Sequence, residues 1–234
     1  TNDQHNKIVK QIIIRCKIEP EIKIVFQPIF SADTMEIYAY EELMRFPNDT
    51  IDNVISNCMH YTDFYTIERL TFFKTLAEYE SRNYQEKLFI NSFPNVALSK
   101  NDMKTIGMKH SESLANTVIE IVEHPKLNQL KHNKKKKLAR RHDLHFAIDD
   151  YGSEYNTYEN LLIIKPTYLK IDRSIITGID ENPEKQKILN EIIRIADTHD
   201  CYTIAEGIET EGELEFLKRT HVNYFQGFLL GRPN

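Results

Sequence analysis

Short apolar runs rich in β-branched and aromatic residues alternate along this chain with longer stretches of helical periodicity, which is the pattern of parallel βα units. The runs centre on 88 to 91, 118 to 122, 145 to 149, 168 to 171, 201 to 205 and 223 to 226. Helices are predicted near 51 to 80, 95 to 109, 126 to 142, 154 to 163, 183 to 199 and 210 to 219. The start departs from this rhythm. Positions 21 to 30 and 35 to 45 both read as strands, and only Ser31-Ala32-Asp33-Thr34 separates them, too short for a helical crossover. An antiparallel hairpin is therefore expected, giving eight strands with one reversed. At 234 residues one α/β barrel accounts for the whole length, so 1–234 is read as a single domain with residues 1–20 as a lead-in helix. The chain begins with Thr1 in place of Met, which suggests trimming from a longer protein.

The apolar runs end in a consistent way. Leu88-Phe89-Ile90 ends in Asn91, Val118-Ile119 in Glu120, His145-Phe146-Ala147-Ile148 in Asp149-Asp150, Tyr168-Leu169 in Lys170, the run to Ala205 in Glu206, and Tyr224-Phe225 in Gln226. A lone acid at a strand end is usually a solvated carboxylate. Six such ends around one barrel mouth, where active sites of this architecture sit, are harder to dismiss. In the second strand, alternation puts Ile37, Ala39, Glu41, Leu43 and Arg45 on one face and Glu42 and Met44 on the other. Six acids, Glu41, Glu120, Glu123, Asp149, Asp150 and Glu206, then share one opening with Lys170 and Arg45 as nearby cations. At ~4 Å and an effective dielectric near 20, each like-charged pair costs on the order of 4 kcal/mol. Such a cluster must protonate or recruit metal, and Asn91 adds a neutral oxygen of the kind magnesium and manganese accept.

Composition narrows the field. A net charge of −5 lacks the basic excess of a protein that coats nucleic acid. Three cysteines, Cys16, Cys58 and Cys201, form no CxxC pair, which argues against a disulfide framework and against structural zinc and fits a reducing cytosol. No apolar run approaches the ~18 residues of a membrane span. The basic run from Lys131 to Arg141 reads as a solvated helix face rather than a nucleic-acid patch, with Leu138 and Ala139 as its buried positions. Phe64, Tyr65, Phe72 and Phe73 read as core. No histidines stand at ligand spacing, so histidine metal ligation is not expected.

Eight ordered motifs resemble the successive signatures of EAL domains, bacterial phosphodiesterases that linearise cyclic di-GMP. They are Phe26-Gln27-Pro28-Ile29, Glu41-Glu42-Leu43-Met44-Arg45, Asn91, Glu120-Ile121-Val122-Glu123, Asp149-Asp150-Tyr151-Gly152, Lys170-Ile171-Asp172-Arg173-Ser174, Ala205-Glu206-Gly207-Ile208-Glu209-Thr210, and Gln226-Gly227-Phe228-Leu229-Leu230-Gly231-Arg232-Pro233. The resemblance implies a TIM-type (β/α)8 barrel with one antiparallel strand. It implies two divalent cations, Mg2+ or Mn2+, with Ca2+ inhibitory. The first would be held by Glu41, Asn91, Glu120 and Asp149, and the second by Asp149, Asp150 and Glu206. By the same resemblance Lys170 orients the attacking water, Gln226 supports the second cation's surroundings, and Glu123 holds the loop after Asp150. Gln27, Leu43, Arg45 and Glu209 are implied ligand contacts, and the loop and helix from about 155 to 164 an implied homodimer contact.

Three departures stand out. Glu42 replaces the signature's alanine but faces away from the mouth, so its cost is expected in packing. Phe93 replaces a frequent serine two residues after Asn91, and Glu154 stands where the family usually places a glycine. Were that position to need φ > 0, strain of ~1 kcal/mol or more would slow turnover. A slow EAL domain acting as a cyclic di-GMP receptor or interaction module is thus the alternative to an active phosphodiesterase. An unrelated magnesium-dependent barrel enzyme would share the acids but not the Gln27 and Gln226-Gly227 motifs. Glu209 also reads as a helix N-terminal acid before Thr210.

Overall fold

The computed structural model describes residues 22–46, 50–56, 58, 60–122, 126–153 and 158–234. Eight strands close into a barrel in chain order: β1 (Lys23–Ser31), β2 (Ile37–Arg45), β3 (Lys87–Ser92), β4 (Thr117–Ile121), β5 (His145–Tyr151), β6 (Tyr168–Ile171), β7 (Tyr202–Ala205) and β8 (Tyr224–Phe225). β1 runs antiparallel to both β2 and β8, and every other pairing is parallel, as the short connection after Ser31 requires. The helices are α1 (Ile51–Ser56), α2 (Tyr61–Ser81), α3 (Lys100–Lys109), α4 (Ser111–Ala115), α5 (Gln129–Arg141), α6 (Tyr158–Ile164), α7 (Arg173–Ile176), α8 (Pro183–Thr198) and α9 (Glu211–Leu217).

Local chemistry sets most boundaries. Asn182 caps α8 by accepting from the amides of Glu184 and Lys185, with Pro183 at the first helical position, where no amide is missed. Thr210 and Glu213 form a capping box at α9. Ser99 starts α3 at Lys100 by accepting from Asp102 N at 3.1 Å, later than the predicted 95. The predicted helix over 51 to 80 is two helices, and α4 and α7 are single turns too short for a hydrophobic period to predict them. Residues 1–20 lie outside the described residues.

Two apolar shells flank the strands. Outward-facing Leu88, Ile90, Ile119, Ile148, Leu169, Ile171 and Phe225 pack under the helices, where Phe72 joins them. Inside the barrel Ile29, Ala39, Phe89, Val118, Ala147, Tyr168 and Ile204 form a second cluster, with Tyr38 and Tyr224 against it. Phe64 and Tyr65 pack half-buried around Phe93 in a third. The basic run on α5 is only partly a solvated face. Ala139 is buried as expected, but Lys135 and His132 are buried too, because that face of α5 lies on the segment following β3.

Candidate active site

Two residues beyond the inner apolar cluster, the same strand faces present Glu41, Asn91, Glu120, Asp149, Lys170 and Glu206, with Gln27 and Gln226 completing the ring. Strand pairing sets several of them side by side: Gln27 opposite Glu41 and Asn91 opposite Glu120. Lys170 occupies the centre. Its Nζ lies 2.5 Å from Glu120, 2.8 Å from Glu206, and 3.2 Å from both Glu41 and Asp149. Burial alone would lower the Lys170 pKa, but Asp149, Glu120, Glu206 and Glu41 hold it well above the ordinary lysine value. One ammonium does not neutralise this many acids. Burial first, then Glu41, keeps Glu120 well above the usual carboxylate range despite Lys170, and burial does the same to Glu206.

The adjacent acids Asp149 and Asp150 both serve the mouth, which a regular strand forbids, since neighbours on a strand point to opposite faces. The β5–β6 register slips between Ile148 and Tyr151, and Asp150 takes φ +47°, in the left-handed region. This bulge re-aims the second carboxylate, and the backbone strain of ~1–2 kcal/mol is held by the surrounding packing. Gly152 follows at φ +99°, a backbone conformation that strains any residue with a Cβ, and a Cβ there would also push on Ile175 Cδ1 at 2.5 Å. Burial and the neighbouring Asp149 push the Asp150 carboxyl up to about 8. Asp149, Asp150 and Glu206 can each offer an oxygen within 4.8 Å of the others. Glu120 Oε2 is buried without a hydrogen-bond partner. Hard oxygen donors, raised carboxyls and an orphaned acceptor together fit a divalent cation site.

The remaining predicted residues fall around this centre. Gln226 Nε2 donates to Glu41 Oε2 at 2.5 Å, and Gln226 shares a cavity wall with Asp150 and Glu206. Gly227 beside it has no room for a Cβ, which would come within 2.1 Å of the Ile208 carbonyl oxygen. Asn91 donates its amide nitrogen to the Glu42 carbonyl at 2.9 Å, which leaves the amide oxygen on the opposite side. Glu42 turns its side chain to Thr75 of α2, 3.2 Å away, as alternation predicts. Its burial, however, pushes that carboxyl up to about 8, and it also lines the cleft. Glu123 and Glu154 lie outside the described residues.

Two cavities of about 470 and 240 Å³ open at the acids, and Glu41, Leu43 and Asp150 line both. The larger continues past Asn91, Arg45 and Phe93. The smaller is lined by Gln27, Gln226, Glu209 and Phe228. Glu209 does not cap α9; its carboxylate pairs with Arg173 at 2.8 Å across the smaller cavity. The sequence pattern assigns Arg173 no role, and its place three residues after Lys170, just past a strand end, is the one local signal that it stands near the mouth.

The EAL domain family model matches residues 14–233. The chain belongs to the EAL domain family. Among curated relatives, cyclic di-GMP phosphodiesterase TpdA of Vibrio parahaemolyticus is 26% identical over 216 residues, covering 89% of this chain and 36% of TpdA. MucR of Pseudomonas aeruginosa, a bifunctional diguanylate cyclase/cyclic di-GMP phosphodiesterase, is 39% identical over 87 residues, 37% of this chain and 13% of MucR. This EAL domain thus spans only a minor part of the curated relatives it matches. Among solved structures, a standalone versatile EAL protein from Vibrio cholerae O395 with c-di-GMP bound superposes at a TM-score of 0.82. It is 24% identical, and the match covers 92% of this chain and 93% of that one. The manganese/cyclic di-GMP complex of Klebsiella pneumoniae BlrP1 follows at 0.79, with 21% identity over 92% of this chain and 56% of that one. At these identities the two structures establish the TIM-type fold.

Proposed function

We propose that this EAL domain is a metal-dependent phosphodiesterase that hydrolyses one phosphodiester bond of cyclic di-GMP to linear pGpG. The observation that carries the reading is the meeting of two cavities over the acid cluster, which suits a ligand with a base at each end and phosphates at its middle. Glu41, Asn91, Glu120 and Asp149 would hold one cation and Asp149, Asp150 and Glu206 a second, with Mg2+ or Mn2+ matching this oxygen-donor set. When bound, such a pair lowers the pKa of water and neutralises charge on phosphate oxygens.

The chain's own groups do the rest. Lys170, whose Nζ is fixed among the carboxylates of Glu41, Glu120, Asp149 and Glu206, is the group this reading assigns to orienting the attacking water. Gln226 pins Glu41 through its amide. Arg45, exposed at the rim, supplies a charge-assisted donor to phosphate, and Gln27 a donor and acceptor for a guanine edge. Leu43, between the two cavities, and Glu209 complete the ligand contacts. Glu123 holds the loop after Asp150, a homodimer forms through about 155 to 164, and the domain works in the cytoplasm. No described helix is long and apolar enough to cross a membrane.

Chromatography of cyclic di-GMP incubated with the pure protein is the test. Mg2+ or Mn2+ should yield pGpG, excess chelator should abolish the product, and Ca2+, which prefers longer bonds and higher coordination, should support little. Full activity in chelator defeats the two-cation assignment. Tight binding without product under every metal condition turns the reading to a receptor.

A further inference from the structure

The basic run on α5 contains a lysine that does not reach water. Lys135 is 2% exposed, and its ammonium donates to the Glu68 carboxylate of α2 at 2.8 Å, to the Phe93 carbonyl at 2.6 Å and to the Ser92 hydroxyl. Ser92 Oγ donates onward to Glu68 Oε1 at 2.6 Å, and Phe93 N donates to Glu68 Oε2 at 2.9 Å. Every ammonium proton, the hydroxyl and both carboxylate oxygens are engaged. One turn earlier on the same face, His132 Nδ1 donates to the Pro94 carbonyl at 2.9 Å. Two helices therefore grip Ser92, Phe93 and Pro94 in succession, immediately beyond Asn91.

A buried ion pair is a poor source of stability, because desolvation offsets its Coulombic gain and apolar replacements are often neutral or better. What it supplies is direction. Ser92 also accepts Val122 N at 3.3 Å through its carbonyl, so the gripped segment is tied to the end of β4, where Glu120 stands opposite Asn91. Asn91 is anchored on its other side by its own amide, at the Glu42 carbonyl. Released from Glu68 and Lys135, the end of β3 at Ser92 and Phe93 would keep its pairing to β4 but lose the side-chain anchors that fix how Asn91 sits beside Glu120.

We propose that Glu68 and Lys135 are positioning residues for the cation site, acting through Ser92 and Phe93 to hold Asn91 beside Glu120. This inference rests on the two-cation reading above. It is tested by titrating Mn2+ calorimetrically into metal-free parent and Lys135→Met, with turnover measured across Mn2+ concentrations. Lys135→Met should bind Mn2+ about 10–100-fold more weakly, the range typical when a group supporting a metal ligand is lost. Its half-saturating Mn2+ should shift equally, while kcat at saturating Mn2+ stays within about threefold of the parent. Lys135→Arg, which keeps charge and donors, should restore most of the affinity. A pair that only stabilises the fold would lower Tm without moving Mn2+ affinity. If Lys135→Met does not fold, Ser92→Ala keeps the ion pair and its two links to Phe93 but removes the hydroxyl link to Ser92, and should weaken Mn2+ binding by less than Lys135→Met, about threefold or more. Parent affinity in whichever variant folds overturns the inference and leaves the proposed function standing; a parent that binds no Mn2+ overturns both.

Discussion

Two residues along each strand separate a dry layer of this barrel from its most charged one. Ala39 and Glu41, Phe89 and Asn91, Val118 and Glu120, Ala147 and Asp149, Tyr168 and Lys170, and Ile204 and Glu206 are such pairs, with Ile29 and Gln27 on the reversed strand. The lower layer closes by packing: the Phe89 and Tyr168 rings meet edge to face at 5.0 Å, and the Tyr38 and Tyr168 hydroxyls share a hydrogen bond of 2.6 Å. The upper layer closes by charge, around Lys170. Backbone and pleat are common to both, so the difference lies in side-chain chemistry alone. The lower layer stabilises the barrel. The upper one costs desolvation energy that the lower one must offset, which is the signature of residues held for function.

Replacing one residue in each layer breaks the comparison most directly. Asp149→Ala removes a carboxylate shared by both proposed cation sites and should reduce turnover by about a thousandfold or more, with the melting temperature unchanged or raised. Hydrolysis at the parent rate would show that the charged layer is not the reacting one. Phe89→Ala, two residues before Asn91, should instead cost ~3–5 kcal/mol in denaturant unfolding. At temperatures where it remains folded, its kcat should stay within a few-fold of the parent. A large loss of kcat with little loss of stability would erase the division between layers.

A pH series sharpens the comparison, provided the contribution of α5 is separated from that of the mouth. Burial lowers the His132 pKa from 6.5 to about 4, while the Pro94 carbonyl partly opposes this. The unfolded chain therefore binds the proton first as pH falls. Stability from neutral His132 is fully present above about 6.5, declines as pH drops towards 4, and amounts to ~3 kcal/mol. His132→Gln, which can still donate to Pro94, should flatten the pH dependence of unfolding across that window. An unchanged slope would assign acid sensitivity to the carboxylates instead.

Much of this was legible from local pattern. Period-two alternation placed Glu41 inward and Glu42 against a helix, and the connection of four residues after Phe30 dictated the reversed strand. Terminal polar residues on successive apolar runs marked the mouth, because a parallel barrel carries all such ends to one side. The lysine run was not legible in the same way. Lys134, Lys135, Lys136 and Lys137 are identical side chains in sequence, and only the packing of α5 on the Ser92–Pro94 segment selects Lys135 for burial beside Glu68, 67 residues earlier.

By itself the sequence determined which residues could carry the chemistry and which strand faces they share, since both follow from side-chain type and the two-residue pleat. Tertiary structure alone decided how those residues meet. The bulge that turns Asp150 to the side of Asp149 sits where the β5–β6 register slips between Ile148 and Tyr151, and that pairing is a property of two strands brought together by the fold. Lys170 becomes the hub of four carboxylates only when barrel closure brings β2, β4, β5 and β7 around β6. Coulomb energy depends on distance through space, and the fold, not the order of residues, sets that distance.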